Sequence, residues 1–274
     1  MFKIIIMALL IFIGMVGYDN ITDKAQPTTP VQQEQQKVSK HEKSAAMALF
    51  TSLLPPNEEW PSPVHKFYLA FNMDEVIDPI RQNPNWTSLD AMSRDIPQAL
   101  IAIEDHAFYN HGAIAVEGIL RAALANINAG EVVQGGSTLT QQFVKNVFLS
   151  HEQSMERKIE EAVLSLMLED NYSKDEILEL YLNTTYFGAG STGIRQASKT
   201  YFGKAPSALT LAEAAVIASL PYAPTGLNPL ENPEGCKKRQ LLVLAAMHKY
   251  GMINQGQLAE AKAEKIRLTN GTVM

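Results

Sequence analysis

The chain opens on an apolar run, passes through a polar tract, and then settles into helical periodicity. Residues 4–18 (IIIMALLIFIGMVGY) are uncharged and follow Lys3. A full membrane span uses roughly 20 apolar residues, and no small-residue cleavage pattern follows this shorter run. The segment 1–18 is therefore read as an uncleaved N-terminal membrane anchor in preference to a cleaved signal. Either way the rest of the chain is exported. Residues 19–44 are rich in Gln, Lys, Thr and Pro and lack aromatics. Such a composition cannot bury enough surface to order itself, so 19–60 is assigned as a stalk and linker. A short apolar helix is expected over 45–54, ended by Pro55.

From about residue 95 the spacing of apolar positions is helical. AVEGILRAALANINAG (115–130) carries an apolar face and stops at Gly130. ERKIEEAVLSLMLED (156–170) is apolar almost all round from Ala162 to Leu168, the mark of a buried helix. Ser173 with Glu176, Thr210 with Glu213, and Asn254 with Gln257 are cap pairs that open three further helices. Asn232-Pro233 starts another, which Gly251 ends. Six helical segments with little strand signal predict a mainly α domain, placed at 61–266.

Composition narrows the function classes. Hydrophobic residues make up 46% of 274, enough for a sizeable core. The net charge is −6, so general attraction to nucleic acid is not indicated. The single cysteine, Cys236, excludes an internal disulfide and any CxxC metal pattern.

Three stretches carry candidate chemistry. IEDHAFYNHG (103–112) gathers Glu104, Asp105, His106 and His111. Metal-binding histidines on a helix are usually four apart; these are five apart, about 140° round the axis. A dedicated zinc site also needs more His or Cys than this. An acid/base centre and a plain helix end stay open. QGGSTLTQQFVKN (134–146) has Gly135-Gly136 for a tight turn and Ser137 or Thr138 to cap the helix that follows. A helix start of this kind binds phosphate, and Lys145 adds a point charge; simple capping is the alternative. ERKIEE (156–161) sets Arg157 and Lys158 beside Glu160 and Glu161, and periodicity does not decide which glutamate faces a cleft. Together these stretches hold a carboxylate base and cations suited to displacing a phosphate leaving group.

Five blocks, in order, carry a resemblance. EDHAFYNHG matches ED-x-x-F-x-x-H, GGSTLTQQFVKN matches G-x-S-T-x-T-Q-Q, and RKIEE matches R-K-x-x-E. KDEILELYLN matches K-x-x-I-L-x-x-Y-L-N, and STGIRQASKTYFGK is similar to a fifth block ending Y-F-G-K. Over about 95–250 the chain resembles the peptidoglycan glycosyltransferases (transglycosylases) of glycosyltransferase family 51. These occur as monofunctional enzymes or as the first domain of class A penicillin-binding proteins.

The resemblance implies a lysozyme-like, two-lobed helical fold with a small membrane-facing lobe around 113–133. It implies polymerisation of lipid II into β-1,4-linked glycan with inversion and release of polyprenyl diphosphate. Glu104 is then the general base and Asp105 its support. The last letter of R-K-x-x-E falls on Glu161. Glu161, Lys145, Arg157 and Lys158 are expected around the diphosphate, with a loosely held magnesium or manganese ion that Glu161 helps to bind. Ser137, Thr138, Gln141 and Gln142 are expected to line the donor cleft, while Glu179 and Asn183 are read as mainly structural. Gln153 stands where many members carry a basic residue, and Ala113 takes a usual glycine position. The implied partners are lipid II, the growing glycan strand, the membrane, and separate transpeptidases and other wall-assembly proteins; nucleic acid is not among them. The implied location is the outer side of the bacterial cytoplasmic membrane. No S-x-x-K motif occurs, so no transpeptidase domain is expected. The alternatives are a lysozyme-like glycan-cleaving enzyme, which needs neither the second nor the third block, and a non-catalytic wall-assembly scaffold.

Overall fold

The computed structural model describes residues 72–119, 127, 135–149 and 154–274. The expected anchor and stalk, the helix at 45–54, Gln153 and most of 120–134 lie outside the described residues. No helix among the described residues is long and apolar enough to cross a membrane. Two compact units divide the chain after Ile77. The described part of the first is short and ends within helix α1 (Asp74–Arg81).

The second unit is built from helices. They are α2 (Asp95–Glu104), α3 (Leu139–Phe148), α4 (Met155–Asn171), α5 (Lys174–Thr184), α6 (Ile194–Phe202), α7 (Leu211–Ser219), α8 (Pro233–Lys249) and α9 (Gln255–Ala263). Short 3₁₀ turns occupy Leu89–Ala91, Phe108–Asn110 and Pro206–Ala208. β structure among the described residues is limited to two isolated bridges. The mainly α expectation therefore holds, and the cap pairs at Ser173, Thr210 and Asn254 each close a full capping box. Asn232 accepts the Gly235 amide at the start of α8. Gly251, at φ +73°, lets the chain leave α8 in a conformation that side chains with a Cβ rarely adopt.

Two groups of helices build the core. In the first, α7 packs against α2 and α8. Its residues from Ala212 to Ser219 are all buried, and four of them are alanines, small enough to let both neighbours approach. In the second, α3 packs against α4 and α5 through Leu139, Phe143, Val144, Ile177, Leu178 and Tyr181. Asn183 and Glu179 tie α5 to the loop before α2. Asn183 accepts the Thr87 amide and donates to its carbonyl, while Glu179 accepts the Leu89 amide at 2.7 Å. The C-terminus of α2 meets the N-terminus of α3 where the two groups join.

Candidate active site

Glu104 is the last residue of α2, and Asp105 is its C-cap. The cap residue leaves helical geometry, which turns its carboxylate toward α3. One oxygen of Asp105 accepts the Leu139 amide at 3.1 Å, and the other lies 2.6 Å from His111 Nε2. His111 Nδ1 is 2.6 Å from the Gly112 carbonyl. A carbonyl only accepts, and so does an ionised carboxylate. Both contacts are hydrogen bonds only when both ring nitrogens carry a proton, so the geometry selects the imidazolium. Burial opposes that charge. The Asp105 hydrogen bond, the Gly112 carbonyl and the Asp105 charge outweigh burial and nearby Lys174, and hold His111 above the ordinary histidine range. His106 also lines the cleft beside Glu104 and stacks on Tyr250, with ring centroids 4.2 Å apart.

The second block resolves one open choice. Thr138, not Ser137, caps α3. Its hydroxyl accepts the Gln141 amide and donates to the Ala113 carbonyl at 2.7 Å, while the Gln141 side chain accepts the Thr138 amide. Gln141 is buried and spent on this cap, so it does not line the cleft. The neighbouring Gln142 does reach Glu104. It donates to Glu104 Oε2 at 3.0 Å and accepts from the Tyr181 hydroxyl at 3.0 Å. A phenol hydroxyl bound to the amide oxygen fixes which end of the amide faces Glu104. Burial and the Glu104 charge both keep that phenol protonated. Tyr181 is the tyrosine of the fourth block, to which the sequence reading gave no role at the site.

Glu104 itself is held above the ordinary carboxyl range. Burial raises it most, and the Asp105 charge adds to that. The Gln142 hydrogen bond and the charges of Arg239 and Lys145 pull it down. Lys145 is exposed one turn beyond Gln142 on α3.

The third block forms a second cluster at the start of α4. Glu161 is buried, whereas Glu160 is partly exposed. Lys158 is in close contact with Glu161 Oε1, and Arg157 lies 3.6 Å from Oε2. Lys158 also donates to Ser137 Oγ at 3.1 Å. That bond joins the basic cluster to the glycine turn.

A cleft of about 390 Å³ opens beside Glu104. Its walls include Glu104, Asp105, His111, Ile114 and the turn Gly135–Thr138. Gln142, Lys145, Arg157, Lys158 and Glu161 are not among its lining residues. The structure thus brings Glu104, the Asp105–His111 pair and the glycine turn to one cavity, and Ser137 links that cavity to the basic cluster. Val116, on the cleft wall, and Ile119 and Ile127 are exposed apolar residues.

No three His, Cys, Asp or Glu side chains converge among the described residues. Glu161 is the carboxylate of the basic cluster, and both its oxygens face cations. These residues do not fit a closed metal site.

The transglycosylase family model matches residues 73–248. Penicillin-binding protein 1A of Neisseria flavescens is 44% identical over 185 residues, covering 68% of this chain and 23% of that one. Penicillin-binding protein 2D of Bacillus subtilis is 44% identical over 181 residues, 66% of this chain and 26% of that one. A Cupriavidus necator protein with a provisional transglycosylase name is 40% identical over 194 residues, 71% of this chain and 84% of that one. The chain thus spans about a quarter of the two penicillin-binding proteins and most of the Cupriavidus protein. With more than half of its length matched by the family model, and the Cupriavidus relative covered almost end to end, the chain belongs to the transglycosylase family of peptidoglycan glycosyltransferases.

Proposed function

We propose that the chain polymerises lipid II into β-1,4-linked glycan, with inversion at the reacting carbon. Glu104 takes the proton of the acceptor 4-hydroxyl. The oxygen bonds to C1 of the growing chain, the C1–O bond to the diphosphate breaks, and its electron pair leaves with polyprenyl diphosphate. One displacement inverts the centre and needs no carboxylate nucleophile, unlike a retaining glycosidase. A positioned base contributes about 10²–10⁴ in rate.

The observation that carries this reading is the state of Glu104. It is a partly buried carboxyl with a raised pKa, oriented by Gln142 at the wall of a cleft. A carboxyl raised by its surroundings is a stronger base than an ordinary one, which favours such a proton transfer. Lys145, Arg157 and Lys158 are assigned to the leaving diphosphate, with Glu161 holding the two α4 cations in place. Ser137 and the amides of the glycine turn are assigned to the donor, and a magnesium or manganese ion to the diphosphate. The lysozyme-like two-lobed arrangement, the anchor at 1–18 and a location outside the cytoplasmic membrane belong to the same reading. So do cross-linking by separate transpeptidases and lipid contact by Val116, Ile119 and Ile127. Lipid II stays in the bilayer, so an anchored enzyme meets its substrate there.

The test is incubation of the purified full chain with labelled lipid II. Glycan polymer should form, Glu104→Gln should abolish it, and moenomycin, the family's inhibitor, should block it. Muropeptide release from finished wall without polymer would instead favour a glycan-cleaving enzyme and sink the reading.

A further inference from the structure

The lining of the cleft beside Glu104 points to what the cleft holds. Its carboxylates are Glu104, Asp105 and Glu117, and among the described residues no lysine or arginine lines it. His111 has both ring nitrogens committed, to Asp105 and to the Gly112 carbonyl. At the start of α3 the Thr138 and Leu139 amides are taken by Gln141 and Asp105. A diphosphate would meet acids here without a free counter-charge, an unfavourable place for an anion. An alkyl chain fits no better, since Ile114 and Val116 are the only large aliphatic side chains among the described lining. The carboxylates, Asn110 and Ser137 offer hydrogen bonds to hydroxyl groups instead. That chemistry suits an uncharged, hydroxyl-rich ring.

The same lining includes a flat ring. His106 falls on a variable position of the first block, two residues after Glu104. It stacks on Tyr250 with centroids 4.2 Å apart and planes 14° from parallel. Tyr250, the C-cap of α8, is not among the lining residues, so it backs the imidazole from outside the cavity. Lys249 places its ammonium 5.1 Å from the Tyr250 centroid and holds that ring in turn. A backed ring has little freedom left to lose when a ligand packs on it. A β-linked pyranose with equatorial substituents turns C–H bonds outward from both faces. Such a face packs on an aromatic plane, with its C–H groups toward the electron-rich side of the ring.

We propose that this cleft is the acceptor subsite and that His106, backed by Tyr250, is its saccharide platform, packing on the sugar ring that carries the attacking 4-hydroxyl. The inference rests on the reading of Glu104 as the base and deepens it. Glu104 and His106 line one cavity, so a ring seated on His106 keeps its hydroxyls in the space that holds the base. The diphosphate is left to Arg157 and Lys158, which lie outside this lining and connect to it through Ser137. Charge is thereby divided as the ligands are. The neutral acceptor ring lies among the acids, and the anion lies with the bases.

The experiment measures kcat and KM for lipid II polymerisation by the full chain, comparing wild type, His106→Ala, His106→Phe, Tyr250→Leu and Glu104→Gln. A platform that holds the ring equally before and during the reaction acts on KM. His106→Ala should raise KM about three- to tenfold, the worth of one aromatic contact, with the loss falling on KM rather than kcat. His106→Phe keeps a flat face without ring nitrogens and should restore most of that affinity. Tyr250→Leu should raise KM by a smaller factor, because the imidazole remains but loses its backing. A second readout uses full-chain Glu104→Gln and chitotetraose, a soluble β-1,4-linked N-acetylglucosamine tetramer. NMR titration should shift the His106 ring protons, and because His106 is intact this tests the platform even if His106→Ala does not fold. A wild-type KM in His106→Ala, a Phe variant as impaired as the Ala variant, or His106 signals unmoved by chitotetraose overturns the assignment. If Glu104→Gln is inactive while any of these occurs, the subsite alone has been misread. If Glu104→Gln still polymerises, the base reading fails as well.

Discussion

Replacing Asp105 by Asn tests the imidazolium clasp directly. In the wild type His111 donates twice, to Asp105 and to Gly112. Its folded pKa lies above the unfolded value, close to 6.5. The sign follows. A raised folded pKa gives stability that is fully present below about pH 6.5 and is lost as pH rises through the folded value. Hydrogen bonds to charged groups contribute about 1.5–3 kcal/mol, which bounds the gain. In Asp105→Asn the amide oxygen can still accept the Leu139 amide, leaving its NH₂ to face His111 Nε2. That nitrogen must then be an acceptor, so the ring is neutral. Protonation would set donor against donor, and the folded pKa falls below 6.5. The variant therefore keeps its contribution above that pH and loses it as pH falls. Between the two folded pKa values, the stability difference between the proteins should change by about 1.4 kcal/mol per pH unit. Urea unfolding from pH 5.5 to 8.5 measures this difference, and NMR titration of the His111 ring reports the protonation itself. Parallel stability curves, or a wild-type His111 that titrates below 6.5, would refute the reasoning.

Three other outcomes are expected. Gln142→Met removes the donor on Glu104, so kcat/KM should fall about 10–100-fold, matching a charged hydrogen bond of about 1.5–3 kcal/mol. Its acid limb should also shift upward, because the lost bond lowers the Glu104 pKa; steady-state rates across pH check both. Thr138→Val loses a cap of about 1 kcal/mol and strands the Ala113 carbonyl at about 1–3 kcal/mol. Urea unfolding should register a total of about 2–4 kcal/mol. Cys236 is fully buried and its thiol is pushed up to about 11 by burial. At pH 8 a disulfide reagent should modify it only as fast as the fold opens, and rapid labelling of folded protein would contradict that burial.

Much of this protein can be read along the chain because helices are local objects. Caps at Ser173, Thr210, Asn232 and Asn254 act within four residues, so their letters announce the helix starts that the structure shows. The apolar stretch of α7 announces its burial in the same way. α2 and α6 lack such signals. No side chain caps either N-terminus, and α6 begins after Gly193, whose φ of +84° meets the backbone of Asn183. The family blocks likewise supplied Glu104, Asp105 and the R-K-x-x-E cluster as candidates.

What the chain could not announce is how residues far apart in sequence share one electrostatic environment. Gln141 and Gln142 are adjacent letters, yet one serves a cap and the other holds Glu104, because successive helical residues point about 100° apart. Ser137 and Thr138 divide in the same way between Lys158 and the cap. Tyr181 reaches the site from α5, and only packing brings it there. The sequence by itself determined the helices and the family, and offered Glu104 as the candidate acid. The tertiary structure decided that acid's surroundings, because burial and opposing charges act through space over a few ångströms and take no account of order along the chain.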